Sequence, residues 1–163
     1  MPHGSRLCVV WLCVMMSAAT SLGAADDPCS VTKPPVPAFE PPPDEAPKIT
    51  LAVGNVPQPS DRFWYGTPQL WTSLRRDGQI GRRDKMFWWS AGYRGNVEQR
   101  PNLVIAINRV GSGVSTIVDA SPTNAHFDDA WSILTMFEFP EPGCWQVTGT
   151  YRGHRLSVVA DIP

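Results

Sequence analysis

The sequence predicts an all-β protein, a β-sandwich that follows an export signal and a proline-rich extended segment. After Asp61, short β-prone runs recur about every ten to fifteen residues with turn signals between them, which is typical of sandwiches and barrels. Outside the first residues, the chain lacks the 3.6-residue apolar period of an amphipathic helix. We therefore divide the 163 residues into a signal peptide (1–25), a proline-rich segment (26–60) and a sandwich (61–163).

Residues 1–25 have the pattern of a secretory signal peptide. Arg6 precedes an apolar run at 7–16, and Gly23-x-Ala25 provides small residues for cleavage. The run is shorter than the roughly 20 residues that a membrane-spanning helix needs. We expect a secreted or periplasmic protein without a transmembrane segment after cleavage; retention of the signal as an anchor is the alternative.

Two cysteines, Cys29 and Cys144, remain after signal cleavage. In an oxidising compartment an even pair is typical of a disulfide, and two free buried thiols are the alternative. A bridge would close a loop of more than a hundred residues. The chain-entropy model then assigns it roughly 4–5 kcal/mol.

The proline-rich segment holds ten of the 17 prolines, between Pro28 and Pro59. Proline fixes φ and removes a donor, so we expect extended polyproline II structure lying on the domain surface. A ligand for a proline-binding groove is the alternative. Residues 49–53 are the exception: their length and branching predict a first strand or an edge strand added to the sandwich.

Within the sandwich, Asp77-Gly78 is a strong hairpin signal between predicted strands at 69–74 and 85–90. The run at 103–110 is apolar on both faces, as expected of a central strand. Further predicted strands lie at 116–119 and 132–139, separated by a polar loop or bulged strand at 120–130.

The last 25 residues, 139–163, predict a closing hairpin with its turn at Arg152-Gly153. In that register Trp145 and Val147 share an apolar face, and Cys144 lies on the opposite, polar face. A four-residue loop in the same register is the alternative. Trp145 follows a proline-rich corner and resembles the aromatic corner of immunoglobulin-like sandwiches.

Four pieces of the chain resemble a group of exported bacterial proteins of unassigned activity. They are CSVTKPP (29–35), FWYGTPQLWTSL (63–74), KMFWW (85–89) and PEPGCWQVTGTYRGHRLSVV (140–159), with Ser30 where the group usually has proline. The resemblance implies an immunoglobulin-like fold, an extracytoplasmic location and a paired cysteine. It implies no activity and no functional residues.

No catalytic motif is present, so the sequence favours a non-catalytic protein without a cofactor. His126, Asp128 and Asp129 are weak candidates for a metal site, because no second cluster of matching spacing accompanies them. An envelope hydrolase or metal-dependent enzyme using this loop is the alternative function.

A net charge of −1 gives no indication of nucleic-acid binding, but positive charge gathers around one predicted hairpin. We interpret it as a candidate surface for an anionic envelope polymer or another envelope partner; a solvated turn paired with acidic strands is the alternative.

Trp88 and Trp89 must face opposite sides of their strand, so one is expected to be exposed or covered by prolines. An exposed indole suggests carbohydrate binding as a second alternative function. The candidate surface comprises Arg75, Arg76, Arg82, Arg83, Lys85, Trp88 and Trp89.

Overall fold

The computed structural model describes Met1 and residues 29–47, 51–53, 56–58, 60–127 and 130–163, so the predicted signal peptide lies almost entirely outside the described residues. All regular structure in the described residues is β, which confirms the predicted class. The strands are β1 (Leu51–Val53), β2 (Val56–Gln58), β3 (Arg62–Thr67), β4 (Leu70–Arg75), β5 (Arg83–Trp89), β6 (Val104–Arg109), β7 (Ser115–Val118), β8 (Thr123–Phe127), β9 (Ala130–Glu138), β10 (Gly143–Tyr151) and β11 (His154–Ile162).

Two antiparallel sheets form a β-sandwich. The five-stranded sheet has the order β3-β4-β5-β9-β8, and the four-stranded sheet has the order β11-β10-β6-β7. The core lies between them, where Trp88 and Ile133 of the first sheet meet Ile105 and Val147 of the second. The apolar strand β6 lies between β10 and β7, so the inner position predicted for 103–110 is confirmed.

The closing hairpin has the predicted register, with Trp145 opposite Ala160 and Tyr151 opposite His154. Its turn is the two-residue form, because Arg152 and Gly153 both have positive φ, at 48° and 80°. Arginine is disfavoured in that conformation. Its guanidinium lies 4.9 Å from the centroid of the Tyr151 ring and also pairs with a carboxylate, contacts that offset this cost.

Residues 29–47, which we call the strap, cross from the four-stranded to the five-stranded sheet. The strap begins at the Cys29–Cys144 disulfide, so the predicted pairing is present in the structure. It then bonds to the edge of β11: Thr32 N donates to Val159 O at 2.9 Å, and Val159 N donates to Thr32 Oγ1 at 2.8 Å. These bonds satisfy edge groups that would otherwise be open to pairing with another chain.

The second half of the strap lies against the five-stranded sheet. Phe39 packs edge-on against Trp71, with 6.2 Å between ring centroids. The Glu45 carboxylate accepts a hydrogen bond from Gly92 N at 3.2 Å. The proline-rich segment is therefore a fixed surface layer of the domain over residues 29–47.

The strand predicted at 49–53 is present at 51–53 as β1, the first strand of the described residues, but it is not an edge strand of the sandwich. β1 pairs with β2 in a separate two-stranded sheet, with Val53 opposite Val56. Two residues, Gly54 and Asn55, separate these strands in the sequence, and Gly-Asn is a preferred two-residue hairpin connection. β1 could therefore pair with a neighbouring strand, which costs less loop-closure entropy than pairing with a strand that is distant in sequence.

The hairpin predicted around Asp77-Gly78 exists, but its strands separate early. β4 and β5 are paired at Trp71–Trp89 and Thr72–Trp88. Beyond these pairs the connecting loop turns to the other sheet, where Ile80 N donates to Asp161 O at 3.1 Å and Asp161 N donates to Gly78 O at 3.0 Å. This bonding to β11 holds β4 and β5 apart.

Candidate functional site

The basic residues of the predicted surface bind different groups of the protein and do not form one continuous basic patch with free side chains. Arg75 binds the Asp77 carboxylate, with Nη2 to Oδ2 at 2.5 Å. Arg76 donates to a backbone carbonyl at 3.3 Å, and Arg82 donates to Pro140 O at 2.8 Å. The side chains without a polar partner among the described residues are those of Arg83 and Lys85.

Trp88 and Trp89 face opposite sides of β5, as predicted. Trp88 is in the core with 0% exposure, and its Nε1 donates to Thr135 Oγ1 at 3.1 Å. Trp89 lies on the outer face of the five-stranded sheet but is 3% exposed, with Trp64 edge-on at a centroid distance of 4.9 Å. Neither residue offers an open indole face, so the carbohydrate hypothesis is wrong for these two tryptophans.

His126 is exposed on β8, and its ring contacts Trp131 with 4.5 Å between centroids. Asp128 and Asp129, the other candidates for a metal site, lie outside the described residues. Within the described ranges, no three His, Cys, Asp or Glu side chains are grouped closely enough to hold a metal ion. A site that includes Asp128 or Asp129 is outside the reach of that observation.

A cluster of titratable groups at the tip of the closing hairpin is structural. The Glu98 carboxylate accepts from Tyr151 Oη and Arg152 Nη2, both at 2.6 Å. Burial opposes the ionisation of Glu98, but these hydrogen bonds outweigh it and lower its pKa. Burial also raises the pKa of the neighbouring Tyr93 to about 12. These hydrogen bonds to Glu98 hold the strained turn at Arg152 and Gly153 in place.

The separation of β4 and β5 opens a cleft of about 360 Å³ on the outer side of the five-stranded sheet, which we call the β4–β5 cleft. Its volume is in the range of small-molecule sites. Leu74 and Met86, from strands no longer paired to each other, contribute to its lining, as does Ile80 of the connecting loop. The described residues that line it are Pro47, Arg62, Trp64, Ser73, Leu74, Arg75, Gln79, Ile80, Asp84, Lys85, Met86, Phe87, Trp89 and Phe127.

Four aromatic rings from three strands form one wall of the cleft. Trp64 of β3 and Phe87 of β5 both pack against Trp89, and Phe87 meets Phe127 of β8 edge-on at 4.9 Å. These side chains share the outer face because β-strand residues two apart point the same way. The wall rests on hydrogen-bonded strands, so its shape is largely set before a ligand arrives.

Arg62 is the half-buried cation of the cleft. Its Nε donates to Ser73 Oγ at 3.1 Å and its Nη2 donates to Ser73 O at 2.9 Å. No carboxylate lies within 4.0 Å of this guanidinium among the described residues. Burial lowers the pKa of Arg62, and Asp61 opposes this shift more strongly than the nearby Arg75 adds to it.

Sequence reasoning identified Arg75, Lys85 and Trp89 of this site but missed Arg62 and Trp64. Arg62 and Trp64 are two residues apart in one strand, so the sequence could have predicted that both lie on the same face. The cleft itself had no sequence signal. It depends on the bond between the 76–82 loop and Asp161, which are distant in sequence.

No helix in the described ranges is long and apolar enough to cross a membrane. The cleft combines an aromatic wall, a buried apolar floor and a cation that has no carboxylate within 4.0 Å among the described residues, an arrangement suited to holding a small ligand. A comparison of the chain with family models, with curated proteins and with solved structures finds no match.

Proposed function

We propose that this protein is an extracytoplasmic, non-catalytic binding module of the cell envelope whose ligand occupies the β4–β5 cleft. The observation that carries the proposal is the aromatic cleft of about 360 Å³ on a rigid sheet. A mostly apolar pocket with a few convergent polar groups is the usual form of a small-molecule site. Phe87 and Trp64 supply the apolar contact area, and Trp89 packs behind them.

The module is proposed to be immunoglobulin-like. Strands β4-β5-β9-β8 and β11-β10-β6-β7 stand in the order A-B-E-D and G-F-C-C′ of that fold, with β3 as an additional edge strand. The indole of Trp145 donates to Glu141 O at 3.1 Å, which resembles the bond from an aromatic corner to the backbone upstream. This support concerns the scaffold and assigns no ligand.

The extracytoplasmic location is supported by two independent features. The Cys29–Cys144 disulfide joins residues 115 apart, and such bridges persist in oxidising compartments. The signal-peptide pattern of residues 1–25 predicts the same compartment.

The test is a titration of the mature protein with N-phenyl-1-naphthylamine, an uncharged apolar dye whose fluorescence rises on binding. We expect saturable binding at one site. Phe87→Ala should weaken it by about tenfold, because part of an aromatic contact worth about 1.5–3 kcal/mol is lost. Ile117→Ala removes an exposed apolar side chain elsewhere on the surface and should leave binding unchanged.

Unsaturable binding, or equal affinity of the Phe87→Ala variant and the wild type, would contradict the proposal. Denaturant unfolding of each variant separates a loss of the cleft wall from a loss of the fold.

A further inference from the structure

We propose that the β4–β5 cleft selects a long-chain carboxylic acid, with the apolar chain against the aromatic wall and the carboxylate bound by Arg62. The inference rests on the proposed function and adds the chemical class of the ligand. Arg62 is a half-buried cation with no carboxylate within 4.0 Å among the described residues, although Asp61 and Asp84 act on it from farther away.

The position of Arg62 is fixed by its neighbours. Two bonds to Ser73, at 3.1 and 2.9 Å, engage Nε and Nη2 and leave Nη1 without a partner among the described residues. A partly desolvated cation is costly unless an anion pairs with it. A guanidinium held in one orientation is thus preorganised for a carboxylate oxygen.

The residues that line the cleft leave an excess of at most one cation, because Asp61, the residue before Arg62, offsets part of the charge of Arg62 from outside the lining. Arg75 faces Arg62 across the β3–β4 pair, but Asp77 already neutralises Arg75. Asp84 also lines the cleft, and its carboxylate oxygens accept the backbone N–H groups of Gly81 at 3.1 Å and of Lys85 at 2.7 Å.

The lining thus holds Arg62 and the exposed Lys85 against Asp84 once Arg75 is paired, which fits a ligand with a single negative charge. A carboxylate carries one, whereas a phosphate monoester carries about 1.5 to 2 at pH 7.

Size and polarity determine the rest of the ligand. The cleft is near the lower end of the range for ligand sites, so it suits one chain better than the two of a membrane phospholipid. The floor of Leu74 and Met86 and the wall of Trp64 and Phe87 offer apolar contact and few donors to a sugar or a peptide backbone.

The experiment compares 11-bromoundecanoic acid with 11-bromo-1-undecanol at neutral pH, using quenching of tryptophan fluorescence. Bromine quenches at short range, and Trp64 and Trp89 line the cleft. The wild type should bind the acid about 10- to 100-fold more tightly than the alcohol, as expected for a hydrogen-bonded charge pair.

Arg62→Gln should bind the acid and the alcohol about equally, because glutamine can still bond Ser73 but carries no charge. Arg62→Lys should restore part of the preference. Arg76→Gln, which removes a neighbouring cation that does not line the cleft, should keep the preference of the wild type.

Equal binding of acid and alcohol by the wild type would overturn this inference and leave the proposed function standing. A preference for the acid that survives in Arg62→Gln would also overturn it, since another cation would then bind the carboxylate. Binding of neither probe, together with failure of the neutral dye, would overturn the inference and the proposed function together.

Discussion

Arg62 and Arg75 face each other across the β3–β4 pair, and they differ because Arg75 forms an ion pair with Asp77. Arg75 is bound by both oxygens of Asp77, whereas Arg62 is held by the neutral Ser73. Like charges directly opposite each other on a sheet repel, so the pairing of Arg75 reduces that repulsion. The same pairing leaves Arg62 as the half-buried charge that a ligand can neutralise.

Asp77 should titrate far below an ordinary aspartate. The hydrogen bonds from Arg75 and from the Gln79 backbone lower the pKa of its carboxyl from 3.8 to about 2. The folded pKa is below the unfolded value, so the stabilisation is complete above about pH 3.8 and is lost as the pH falls towards 2. Carbon-detected NMR titration of the Asp77 carboxyl measures this pKa.

In Arg75→Gln the pKa of Asp77 should rise part of the way towards 3.8, because the Gln79 bond remains. An unshifted pKa near 3.8 in the wild type would show that the Arg75–Asp77 pair does not persist in solution, and the excess charge at the cleft would then not be confined to Arg62.

At the scale of elements, the strap and the 76–82 loop meet along the edge and end of β11. The strap occupies the edge at Val159, and the loop bonds to the strand two residues later at Asp161. A Cβ added at Gly78 would lie 2.5 Å from Val31 Cγ2, so loop and strap are in direct contact. The contacts that separate β4 from β5 therefore adjoin those that anchor the strap.

Removing the disulfide should destabilise the domain without changing its strand content. The bridge joins Cys29 and Cys144 across 115 residues of sequence, and the chain-entropy model assigns it about 5 kcal/mol. We expect Cys29→Ser/Cys144→Ser to lose about 2–5 kcal/mol in the free energy of unfolding, measured with urea. The far-UV circular dichroism should be retained.

The control for that experiment is wild-type protein unfolded with and without a thiol reductant. Reduction should reproduce the loss in the double variant and should have no effect on that variant itself. A loss below about 1 kcal/mol would mean that the strap remains anchored by its other contacts and contributes through them.

At the scale of the whole molecule, the strap connects the outer sides of two sheets that otherwise meet through the core. It begins on the polar face of β10 and ends against the apolar outer face of the five-stranded sheet, where Trp71 is fully buried. An outer sheet face this rich in aromatic residues would be an exposed apolar patch without a cover. The domain boundary suggested by composition therefore does not separate two structurally independent parts.

A chain beginning at residue 48, with Cys144→Ser to avoid a free thiol, should expose that face. We expect stronger fluorescence of anilinonaphthalene sulfonate and a shift to aggregates in size-exclusion chromatography, because Phe39 no longer covers Trp71. Full-length Cys144→Ser is the matched control. A monomeric truncated chain with unchanged dye fluorescence would show that the strap is dispensable for covering the sheet.

The sequence by itself determined the β class, the register of the closing hairpin and the opposite orientations of Trp88 and Trp89. All three follow from the two-residue period of a strand, which is a local property. For 49–53 the sequence predicted a strand that is present at 51–53, but the alternative of a sandwich edge failed because a two-residue hairpin connection competed with a distant sheet edge.

Only the tertiary structure decided where a ligand could bind. The cleft exists because the 76–82 loop bonds to Asp161, and Asp77 binds Arg75 and not Arg62, which has no ion pair among the described residues. The burial of Trp89 likewise depends on Trp64 of another strand. The cleft, the charge of Arg62 and the burial of Trp89 all depend on contacts between residues that are distant in sequence or on different strands. The two-residue period of a strand predicts which face a side chain lies on, but it does not predict these contacts.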